Sequence, residues 1–323
     1  MNRYRIRALR GLCLTTLCLH TSITLAASSF NELYDVVFGP PPAPVTPIEA
    51  EEQAVYASGQ LPQYAVRVSN FIMDGINYLR QDAIRTVNET ADYYPRVEKR
   101  VHSNGICFTG TWRISADTPY SGYFKQGATG LIMARASTAL SETRRGQSRG
   151  FGFAGKIFPT LDPDMTTDSA NFFLVDVLMG AQRDRYLDVG MTNKPATGFR
   201  FSVLYLGLVA ASAFARADSN PGFRPLYPIA ELGLAAGDTA TTPTYMMLRG
   251  SAENVRNDQI DFRDELNLEL NGNEELRFDI LVSDVSARQS SSSWQTIGEV
   301  VLNESVVSYG CDRMLHFPHP KMK

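Results

Sequence analysis

The residues whose types could do chemistry gather between Lys99 and Lys156. His102 stands three residues before Gly105, Arg135 and Ser137 share the run GLIMARAS, and Arg149 and Lys156 bracket RGFGFAGKIF. An imidazole takes and returns a proton near neutral pH, which makes His102 the candidate base. The same types also serve structure. A lone His beside a strand can simply be hydrogen-bonded, and Arg135 or Arg149 can pair with Asp164 or Asp176 as structural ions. The elements that must position them are short apolar strands broken by glycines: GICFTGTW, GLIMARAS, GFGFAGKIF and ANFFLVD. Glycine within strands marks bends and close backbone approach, so the run suits a curved antiparallel sheet whose inner face receives a flat ligand.

Around this centre the chain divides into three parts. Arg3, Arg5, Arg7 and Arg10 precede an apolar run from Leu12 to Leu25, and Ala26 and Ala27 come next. That order predicts a secretory signal over residues 1–26, cut after Ala26 or Ala27, and export to the periplasm or the medium. The apolar run is too short and too polar for a comfortable membrane span. Its loss removes four arginines and no acids, so the formal charge of −3 becomes more negative. An acidic chain with no basic run argues against nucleic acid or an anionic membrane as the main partner. Cys13 and Cys18 leave with the signal. Cys107 and Cys311 remain, either as one disulfide or as two separately buried thiols.

Residues 27–62 read as an N-terminal arm and a Pro-rich spacer. SSFNELYDVVFG is a short helix or arm, PPPAPVTP is extended, and Thr46-Pro47 with Glu49 opens a helix. Residues 63–323 read as one barrel domain. Its first element is an amphipathic helix in which Val68, Phe71, Ile72, Ile76, Leu79, Ala83 and Val87 recur at threes and fours. Phe199–Ala217 is apolar nearly all round and predicts a buried helix. Tyr245–Leu248 predicts a short strand. Leu266, Leu268 and Leu270 alternate with polar residues ahead of Asn271-Gly272, and Leu276, Phe278, Ile280 and Val282 alternate after it, which predicts a hairpin. Trp294–Asn303 predicts a further strand. The expected architecture is α+β: about eight antiparallel strands in a barrel, with helices outside.

The order and spacing of these pieces resemble the heme-dependent catalase family, including its catalase-related peroxidase and allene-oxide-synthase-like branches. The pieces are a basic residue three before His-x-x-Gly, then Arg-x-Ser, then Arg-Gly-Phe…Lys, then an Asn-rich turn before Phe-Phe. The resemblance is strong over the central quarter of the chain and weak over the C-terminal third, where IGEVVLNES is similar to the family's last strand and YGCDRMLHFPHP to the segment after that strand. It implies a catalase-like barrel, a heme cofactor, and hydrogen peroxide or an organic or lipid hydroperoxide as substrate. It implies His102 as the base that moves a proton between the two peroxide oxygens, and Ser137 as the hydroxyl that orients the imidazole. Thr167 falls near the position of the family's polarising Asn, with Asn171 out of register. Lys99 stands where the family has a propionate-binding Arg, Arg135 near the proximal side, and Arg149 at a second propionate or a structural partner. Phe151 and Phe172 are implied as apolar walls. The family's iron ligand is a Tyr in an Arg-x-x-x-Tyr helix after the last strand. This sequence runs only to HFPHPKMK, so the expectation is that Tyr309, or His316 or His319, takes over, or that iron has no protein ligand. The alternative function is a catalytically silent catalase-like barrel that binds an apolar ligand or a protein partner.

Overall fold

The computed structural model describes residues 28–62, 105–138, 151–167, 170–175, 222–225, 241–250, 261–273, 275–284 and 293–317. The signal, the Val68–Val87 pattern, the Phe199–Ala217 run, Lys99, His102, Arg149, Asp176 and His319 lie outside these residues.

The fold is α+β, built on a strongly curled antiparallel sheet. Its strands are β1 (Gly105–Ile114), β2 (Thr129–Thr138), β3 (Phe151–Phe158), β4 (Ala170–Val175), β5 (Gly222–Pro225), β6 (Tyr245–Gly250), β7 (Leu276–Ser283) and β8 (Gln295–Val306). Each pairs with the next in sequence, and β8 returns to pair with β1, so the order runs round a closed ring. The thinnest stave is β5, which meets each neighbour through two residue pairs. Register shifts at Thr109/Gly110 and at Ile280/Leu281 bend the two ladders of β8 into the curl.

Alternation along the strands gives the sheet two faces of different chemistry. On the inside, Phe172 lies 6.2 Å from Trp112 and 6.0 Å from Phe153, and Phe153 lies 5.8 Å from Phe278. All four are buried, and Phe124 of the 3₁₀ turn Gly122–Phe124 packs edge-on against Trp112. Where the sequence predicts an inner face that receives a flat ligand, the described residues of that face carry the protein's own rings. Gly155 makes the packing possible. A Cβ there would stand 2.2 Å from the Phe172 ring, so the ring occupies the space a side chain would need.

Outside the barrel lie α1 (Phe30–Phe38) and α2 (Pro47–Ala57). Both begin as their sequences dictate. Ser29 and Glu32 form a capping box on α1, and Thr46 and Glu49 form one on α2. Between them the Pro-rich stretch runs without regular structure, as a chain lacking the needed N–H groups must. Phe30, Leu33 and Val37 bury one face of α1, and Phe30 meets Phe158 of β3 edge-on at 5.6 Å.

The expected first arm of the C-terminal hairpin is a helix. Residues Phe262–Asn273 form α3, and the Asn271-Gly272 pair lies in its last turn, away from any hairpin tip. Leucine at every second position fits a strand, but it also fits a helix in which only every second leucine counts. Phe262, Leu266 and Leu270, four apart, are buried, whereas Leu268 is 62% exposed. The deciding signal is polar. The Asp261 carboxylate accepts from the Arg263 backbone N–H at 2.9 Å and so caps the helix. The same carboxylate and the Pro62 carbonyl hold the fully buried Arg263 guanidinium. The expected second arm is β7, and the Trp294–Asn303 and Tyr245–Leu248 strands are β8 and β6.

Candidate functional site

On the outer face of β1 and β2, Arg135 and Cys107 meet the turn after β8. Residues Gly310–Met314 form a single π-helical turn, entirely buried. Cys107 of β1 and Arg135 of β2 are direct partners across the ladder, and so share that outer face. They grip two consecutive residues of the turn. Cys107 is disulfide-bonded to Cys311, with Cα atoms 5.8 Å apart. Arg135 Nη2 donates to Asp312 Oδ1 at 2.6 Å, with side chains 5% and 0% exposed.

Two charges out of water must be matched and their remaining sites hydrogen-bonded. The other Asp312 oxygen accepts from the Tyr56 hydroxyl of α2 at 3.0 Å. Arg313 reaches Glu52 on the same helix at 3.4 Å. The Ser308 hydroxyl donates to the Val37 carbonyl at the end of α1. One turn therefore ties both outer helices to the first two strands. Gly105 leaves room for the arginine: a Cβ on it would lie 2.5 Å from the guanidinium carbon.

This arrangement revises the expected ion pairs. The partner of Arg135 is Asp312, and Asp164 instead accepts from the Asn31 side chain at 2.6 Å at the surface. No linear signal links residues 177 apart. Asp312 and Tyr56 are accordingly the participants that sequence reasoning missed, although Asp312 stands beside the flagged Cys311.

The other candidates divide between the faces. Ser137 is buried, two residues from Arg135 on the outer face and directly across from Gly105. It therefore flanks the point where the chain arriving from His102 enters β1. Lys156 is buried on β3, and its ladder partners Met133 and Asn171 put Asn171 on the outer face too. Phe172, next to Asn171, points inward with Trp112 and Phe153, so it lines no common surface with Arg135 and Ser137. Phe151 opens β3 opposite Thr138. Thr167 is half-buried, and its hydroxyl has no hydrogen-bond partner among the described residues. Tyr309 is buried at the start of the π turn and meets the Tyr56 ring edge-on, with centroids 6.0 Å apart. His316 is half-buried two residues beyond the turn.

Comparison with known proteins gives a coarse likeness of fold. No family model matches the chain, and no curated protein does. Among solved structures, a fungal catalase matches at 12% identity and a TM-score of 0.41, covering 78% of this chain and 56% of its own. A bacterial catalase matches at 11% identity and 0.42, covering 85% and 60%. Catalase A from Saccharomyces cerevisiae matches at 10% identity and 0.36, covering 77% and 59%. The chain spans a little over half the length of the catalases it matches.

Proposed function

We propose that this chain is an exported catalase-like protein that acts on hydrogen peroxide or an organic hydroperoxide with a heme cofactor, with His102 as its base. The observation that carries the reading is the pairing of Gly105 with Ser137. It sets a buried hydroxyl beside Gly105, three residues after His102 in the sequence, and this supports Ser137 as the orienting partner of the imidazole. Heme, when bound, supplies the iron at which the peroxide O–O bond is cleaved. The chain's own part is smaller. His102 would accept the proton of the near peroxide oxygen and return it to the far one, and Ser137 would hold the ring for both transfers. Lys99 would meet one propionate and Arg149 a second.

The test is the mature protein supplied with heme. A Soret band at one heme per chain, and turnover that falls about 10²–10⁴-fold in His102→Ala with heme content unchanged, is the expected result. Ser137→Ala should lower kcat and leave heme content as it was. Unchanged turnover in His102→Ala overturns the base role.

A second reading, the catalytically silent barrel, is favoured by one observation. The Arg135 guanidinium, expected beside the cofactor, is already balanced by Asp312. On that reading heme binds weakly or not at all, and the protein stays colourless after heme is added.

Export is supported by the basic, apolar, small-residue order of Met1–Ala27 and by the Cys107–Cys311 bond, since disulfides persist where the surroundings are oxidising. Exported material should begin at Ala27 or Ser28 by N-terminal sequencing; an intact Met1 on it would refute the cut.

A further inference from the structure

We propose that the Cys107–Cys311 bond and the Arg135–Asp312 pair act as one oxidation-dependent latch. It seats the 308–315 turn, and with it α1 and α2, on the barrel only after the disulfide has formed. The inference is independent of whether the protein binds heme.

Four observations lead there. The two links start from residues that face each other across β1 and β2 and end on residues adjacent in the turn. Cys311 and Asp312 are both 0% exposed, so neither link closes without the other's neighbourhood in place. The helices reach the barrel partly through that turn, by Ser308 to Val37, Tyr56 to Asp312 and Glu52 to Arg313. The spacer between them, residues 40–46, is exposed and lacks regular structure, so it does not itself hold the helices on the barrel.

The physical logic is preorganisation. Bringing Asp312 to Arg135 in the reduced chain means ordering a turn and desolvating two charges for one pair. With the sulfurs joined, Asp312 is already beside its partner and the ordering has been done. The bond that forms is S–S and the bonds that break are two S–H. Two electrons and two protons pass to a disulfide-bearing oxidant of the surroundings, and a dithiol reverses the step. Because both sulfurs are buried in the closed form, the attacking thiolate has no path to them until the turn lifts. The latch is therefore easy to set during folding and slow to undo afterwards.

Limited proteolysis of the full oxidised and reduced chains, read at α1 and α2, tests this. Cleavage should be at least about tenfold faster in reduced protein and in Cys107→Ser/Cys311→Ser. Asp312→Asn keeps the disulfide and removes only the ionic rung. It should speed cleavage in oxidised protein and add nothing in reduced protein, because the rung exists only when the sulfurs are joined. Under native conditions a dithiol should leave the bond intact, while in urea it should reduce it at once. Equal cleavage of oxidised and reduced protein overturns the latch. So does an Asp312→Asn effect of the same size in both, or prompt native reduction with no change in cleavage.

Discussion

Arg135→Met, with Asp312 kept, lowers the unfolding free energy by about 3–5 kcal/mol in urea denaturation monitored by tryptophan fluorescence. The size comes from what is left behind. Asp312 is fully buried and has lost the guanidinium that sat 2.6 Å from it, while the Tyr56 hydroxyl remains on its other oxygen. The expected magnitude is thus the cost of a buried carboxylate that has lost its cation rather than the worth of the pair. The companion variant separates the two. Arg135→Met with Asp312→Leu removes both charges and fills similar volume, and it should recover most of the loss, since apolar replacement of a whole buried pair is often neutral. A loss below about 1 kcal/mol for Arg135→Met alone would mean that the pair behaves as a surface ion pair and holds little.

Phe172→Ala has an effect of similar size for a different reason. Its ring is fully buried, touches Trp112 and Phe153, and lies over the bare Cα of Gly155. Removing it opens a cavity that two neighbouring rings cannot close, and the expected loss is about 3–5 kcal/mol. Heme content and peroxide turnover per folded molecule should be unaffected, because the ring faces the side of the sheet away from Arg135 and Ser137. Loss of heme at unchanged stability would restore Phe172 as a cofactor wall.

What the sequence made legible is what short-range pattern carries. The strands at GICFTGTW, GLIMARAS and GFGFAGKIF come from alternation and glycine, and the capping boxes at Ser29 and Thr46 from residue type and spacing of three. Arg135 and Ser137 share a face because they are two apart, whatever they pair with. The face of Phe172 relative to theirs was not legible, since it depends on the register through β2, β3 and β4. Whether Cys107 and Cys311 join was likewise open, because pairing is decided by where β8 delivers its turn. The α3 segment went wrong on a true ambiguity. Leucine at alternate positions supports both periods, and the Asp261 cap that resolves it lies outside the repeat.

The disulfide joins residues 204 apart, with every strand of the barrel inside the loop or at its edge. A chain made from its N-terminus at about 5–20 residues per second therefore presents Cys107 roughly 10–40 s before Cys311 exists. The seam of the barrel, β1 against β8, waits over the same interval. During that time the first strand has a bare edge and an unclaimed thiol, both open to pairing with another copy of the chain. Yield, rather than activity, is where this feature is felt: slower synthesis prolongs the exposure, and a disulfide isomerase retrieves the chains that pair wrongly.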